Sequence, residues 1–70
     1  MTQEITQGFF DTMRKTMKNG CTSHSKFERG QYTVHGHDID ELRVWCENGI
    51  VNTACYLDGV EVFGTSEPLE

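Results

Sequence analysis

No run in this sequence approaches the roughly 20 consecutive apolar residues that a membrane-spanning helix needs. The first residues lack the basic start, apolar middle and small-residue cleavage site of a secretory signal. The expectation is therefore a cytoplasmic protein without a membrane partner. Cations are scarce in the second half: residues 36–70 carry Arg43 alone against eight acids, a net of −7, whereas residues 1–35 carry five cations against three acids. A half this acidic repels phosphate backbones, which argues against direct nucleic-acid binding. Three cysteines cannot all pair within one chain. Free thiols, with Cys46 and Cys55 as small buried apolar groups, are the simplest reading. The Gly-x-Ser-x-Gly elbow and the glycine-rich phosphate loops are absent, so no nucleophile constellation marks an enzyme.

At 70 residues the chain makes one domain, residues 1–70, with a core about as large as one helix on one sheet can bury. No cofactor is expected, and such a domain has little room for a pocket that engulfs a small-molecule substrate. Its organising stretch is Asp40 to Gly64, which reads as three strands, 41–47, 50–57 and 60–63, joined at Asn48-Gly49 and Asp58-Gly59. Such dipeptides favour two-residue type I′ turns, because both central positions need positive φ. Two-residue turns set Glu47 opposite Ile50 and Leu57 opposite Val60, which fixes both registers. One face then collects Leu42, Val44, Cys46, Val51, Thr53, Cys55, Leu57, Val60 and Val62. The other collects Glu41, Arg43, Trp45, Glu47, Ile50, Asn52, Ala54, Tyr56, Glu61 and Phe63. A wrong register would scramble this division. The competing reading makes residues 38–48 a second helix, with Asp38 and Glu41 at its start and Ile39, Leu42 and Cys46 along one side. The Arg-Val-Trp-Cys run prefers strand.

Residues 2–18 read as a helix: Ile5, Phe9, Phe10, Met13 and Met17 share one arc, with Gln3, Glu4, Gln7, Asp11, Arg14, Lys15 and Lys18 opposite. Gly8 costs about 1 kcal/mol relative to Ala in a helix interior, and either starts the helix late or lets the sheet approach closely. A Phe and Met stripe at helical spacing is core rather than a site, and the meander supplies its apolar counterpart. Cys21 to Lys26 reads as a polar connector, 27–35 as a first strand with a bulge near Gly30, and 35–40 as a linker. Residues 65–70 read as a frayed tail. The expected fold is α+β, one helix on a three- to four-stranded antiparallel meander in the order α-β-β-β-β, in two layers.

Two constellations bear on function. Cys21, His24, His35 and His37 carry the donor types of a zinc site, but their spacing matches no established module, and solvated histidines fit equally well. The stronger feature is the outer face of the sheet, where Trp45, Tyr56, Phe63 and Ile50 accompany Glu41, Glu47 and Glu61. A sheet covered on one side usually shows a polar outer face, and interface cores are enriched in Trp, Tyr and Phe. The plain reading has another segment folded over these rings. The functional reading is a small acidic interaction module that binds a second copy or a basic protein partner, in its narrowest form an inhibitor seated in a nucleic-acid-binding groove.

Overall fold

The computed structural model describes residues 2–69. Met1 and Glu70, the ends of the expected domain and tail, lie outside the described residues. The strands foreseen at 41–47 and 50–57 form with those bounds, here β5 (Glu41–Glu47) and β6 (Ile50–Leu57), so the reading of 38–48 as helix is wrong. Asn48 and Gly49 have φ of 52° and 77°, and Asp58 and Gly59 have 53° and 81°. Positive φ at both central residues is the condition for a tight type I′ reversal. Glu47 accordingly faces Ile50, and Leu57 faces Val60.

The remaining elements are β1 (Gln3–Ile5), α1 (Gln7–Thr16), β2 (Thr22–Lys26), β3 (Tyr32–Val34), β4 (His37–Ile39) and β7 (Val60–Pro68). The class is mixed α and β, as expected, but the order is β-α-β-β-β-β-β-β and the strands form two sheets. One is four-stranded and antiparallel, ordered β2-β5-β6-β7; the other is three-stranded, ordered β1-β3-β4, with β1 parallel to β3.

Each departure from the expected elements has a local cause. The helix starts at Gln7, because residues 3–5 pair with 32–34 and the Thr6 backbone is extended. It ends at Thr16, since Met17 is already extended, three residues before Gly20. The apolar arc survives this shortening: Phe10 is buried, and Ile5, Phe9, Met13 and Met17 pack against the core. The expected strand 27–35 is instead a loop followed by three residues of β3, with Gly30 at φ 88° inside the loop. Phe27 and Tyr32 still meet edge to face, 4.7 Å between centroids. The expected linker 35–40 is a hairpin, in which His35 and Gly36 take φ of 48° and 79° and repeat the geometry of the Asn-Gly and Asp-Gly turns. The expected polar connector is mostly β2, an edge strand. The expected frayed tail is the second half of β7, paired residue by residue as far as Pro68 opposite Ile50.

The core lies between the four-stranded sheet and the layer of α1 and the small sheet. Val34, Ile39, Val44, Cys46, Val51 and Cys55 are almost fully buried there, with Phe10 and Leu42. Polar ties close the two layers. Arg14 Nε donates to the Pro68 carbonyl at 3.1 Å and sits 3.6 Å from Glu67. Asn19 Oδ1 accepts from the Gly49 amide at 2.8 Å, which binds the end of the helical segment to the β5–β6 turn.

Candidate functional site

The outer face of the four-stranded sheet is a grid fixed by register. Across β2, β5, β6 and β7 its rows are Thr22–Trp45–Asn52–Ser66, then His24–Arg43–Ala54–Gly64, then Lys26–Glu41–Tyr56–Glu61. A fourth row adds Glu47, Ile50 and Pro68. Among the described residues no other element lies over this face, because α1 and the small sheet cover the opposite side. Trp45 stands near its centre, half-buried by its neighbours.

Phe63, expected on this face, is not there. β7 carries a bulge opposite the Cys55/Tyr56 step: Tyr56 pairs with Glu61, but Cys55 pairs with Phe63, so Val62 is the extra residue. One inserted residue exchanges the faces of all that follows. Phe63 therefore turns inward, its ring 5.7 Å from that of Phe10 and 4.7 Å from that of His35. Gly64 takes its place on the outer face. A side chain there would press on the Glu61 carboxylate at 3.0 Å, so the glycine lets Glu61 lie across the sheet.

The remaining aromatic positions are as expected, and the structure joins His24 and Arg43 to the expected Glu41 beside them. His24 Nε2 lies 2.6 Å from Glu41 Oε2, and Arg43 Nε donates to the same oxygen at 2.8 Å. The Arg43 guanidinium sits 5.1 Å above the Tyr56 ring, a cation–π contact. Bonding to Arg43, and next to His24, holds the Glu41 carboxyl below its ordinary range, against the opposing effect of desolvation. Neither His24 nor Arg43 is among the interface residues expected from the sequence. The register of β5 already puts Arg43 on this face, whereas His24 joins it only once 22–26 is known to be a strand.

Trp45 has a hollow on each side. One, about 420 Å³, is lined by Thr22, Ser23, His24, Arg43, Trp45 and Tyr56. The other, about 300 Å³, has Ala54 and Gly64 in its lining with Asn52, Glu61 and Ser66 around them. The charges on the face nearly balance: Lys26 and Arg43 stand among Glu41, Glu47 and Glu61. The acidity of the second half therefore resides largely elsewhere, at Asp38, Asp40, Asp58 and Glu67.

The zinc-type donors are not gathered into one place. Cys21 precedes β2, and His24 is engaged with Glu41 on the outer face. His35 occupies a turn of the other layer against Phe63, and His37 lies beyond it on β4. Among the described residues, no group of three or more His, Cys, Asp or Glu side chains is placed to hold a metal ion. Cys21, Cys46 and Cys55 are all free thiols. No helix among the described residues is long and apolar enough to cross a membrane. No family model, no curated protein and no solved structure matches this chain.

Proposed function

We propose that this chain is a small protein-interaction module that binds through the outer face of its four-stranded sheet, with Trp45 as the anchor. The observation that carries this reading is a tryptophan at the centre of an uncovered sheet, with a hollow of about 420 Å³ on one side and about 300 Å³ on the other. Interface energy concentrates in aromatic and arginine anchors surrounded by groups that exclude water. Trp45, Tyr56 and Arg43 form such a group, and Ile50 extends it. Glu47 and Glu61 are exposed at opposite ends of the face and are placed to meet cations on a partner. Glu41 is not free in the same way, because His24 and Arg43 already occupy it. The near-balance of charge favours a protein surface with a few matched cations over a strongly basic groove. Phe63 has no part in this surface.

The test combines sedimentation of the purified protein with a pull-down from its native host. Trp45→Ala combined with Tyr56→Ala abolishes association while leaving the circular-dichroism spectrum and the unfolding cooperativity unchanged. Association that survives the double change defeats the reading.

A further inference from the structure

The edge of the sheet at β2 offers a second surface, the free backbone of the strand that borders the outer face. Among the described residues, β2 has β5 on one side and no strand on the other. Two backbone bonds set the phase of its ladder: the Cys46 amide donates to the Cys21 carbonyl, and the Phe27 amide donates to the Asp40 carbonyl, each at 3.0 Å. Antiparallel ladders alternate, so Ser23 and Ser25, with the Cys21 carbonyl and the Phe27 amide, spend their backbone groups on the β5 side. Thr22, His24 and Lys26 then present N–H and C=O groups away from the sheet. All five residues of β2 are exposed, including Ser23 and Ser25 on the core side, because the second layer stops short of this edge.

An apolar groove of about 390 Å³ opens beneath the same edge, with Ser25, Leu42 and Phe27 on one side and Ile5, Phe9 and Tyr32 on the other. A strand added to β2 would place its residue opposite Ser25 on the core side, at the mouth of this groove. The lining decides the occupant. A second copy pairing through its own β2 would bring only Ser23 and Ser25 to the groove and leave it unfilled.

From these two features we propose that the β2 edge captures an extended, antiparallel segment of a partner protein, with large apolar residues at alternate positions and an acidic residue opposite Lys26. Backbone bonding at Thr22, His24 and Lys26 supplies the affinity, and the apolar side chain opposite Ser25 supplies the specificity.

The probe is the blocked peptide acetyl-Thr-Val-Glu-Leu-Thr-Val-Thr-amide, titrated into the ¹⁵N-labelled full chain. Shifts and amide-exchange protection are expected at Thr22, His24 and Lys26, with shifts at Ile5, Phe9 and Leu42. N-methylation of the glutamate and the central threonine, whose amides face β2, abolishes binding. N-methylation of the leucine and the second valine, whose amides face away, leaves affinity within about twofold, since no ladder bond is lost. His24→Pro removes an outward N–H without breaking a backbone bond to β5, and weakens binding about tenfold or more; His24→Ala, which loses only the contact with Glu41, leaves binding within about twofold. No perturbation at millimolar peptide overturns the proposal, as does equal binding by the two methylated peptides. An oligomer of the protein alone that protects Thr22, His24 and Lys26 and is dissolved by His24→Pro also overturns it, in favour of a second copy. Trp45→Ala with Tyr56→Ala leaves peptide binding intact, which separates this edge from the outer face.

Discussion

The bulge at Val62 decides which way Phe63 points, and its consequence is measurable as stability. Phe63 packs between Phe10 and His35. Truncating a fully buried phenylalanine costs about 3–5 kcal/mol, and half-burial reduces this to about 2–3 kcal/mol. A domain of 70 residues has about 4–10 kcal/mol in total at the usual stability per residue. Phe63→Ala therefore removes a large share of it and lowers Tm by about 10–20 °C. On an uncovered outer face the same change would cost within about 0.5 kcal/mol. Deletion of Val62 is the companion variant. It removes the extra residue, leaves Cys55 opposite Phe63 and Ala54 opposite Gly64, and forfeits only a half-buried side chain, about 1 kcal/mol. Urea denaturation of both variants, followed by fluorescence of Trp45, reads the two values. A Phe63→Ala effect within about 0.5 kcal/mol of zero, or a Val62 deletion more damaging than Phe63→Ala, refutes the bulged register.

Three further outcomes follow from the same geometry. Burial, with Glu61 adding to it, pushes the Cys55 thiol up to about 11 from 9.0. A raised thiol pKa contributes stability that is complete below the unfolded value of 9.0 and is lost as pH rises through about 11, amounting to about 3 kcal/mol. Iodoacetamide at mildly alkaline pH should accordingly alkylate exposed Cys21 in the folded protein and spare Cys55, as read by mass spectrometry. The lowered Glu41 midpoint gives the opposite sign: its contribution is complete above the ordinary carboxylate value and is lost as pH falls through the depressed folded value. Arg43→Ala should raise that midpoint, seen in a carboxylate-detected NMR titration. At the β3–β4 turn, Gly36→Ala forces a side chain into φ of 79° and should destabilise by about 1–2 kcal/mol, as read by urea denaturation.

Where a turn residue and a buried face coincide, the sequence sufficed. Asn48-Gly49 and Asp58-Gly59 fixed β5 and β6 to the residue, and with them the positions of Trp45, Tyr56, Glu41, Glu47 and Ile50. Residues 22–26 carry no alternation of apolar and polar side chains, because an edge strand exposed on both sides has none to carry. They read as a connector for that reason, and His24 and Lys26 were lost from the face they help build. His35-Gly36 is sterically the same turn as the other two, but without Asn or Asp its signal is weak. In residues 64–68, Gly64 and Pro68 resemble punctuation, although an edge strand tolerates both.

What the sequence determined by itself is therefore local: which dipeptides reverse the chain, and which side of each central strand repels water. The tertiary structure decided the non-local matters. The partner strand offered by β6 drew residues 64–68 into the sheet, and pairing with 32–34 drew 3–5 away from the helix. The inserted Val62 sent Phe63 under the sheet while leaving Trp45 above it. Parity along a strand is a property of neighbours, but a bulge is set by what the opposite strand can accommodate, and no single stretch of sequence holds that information.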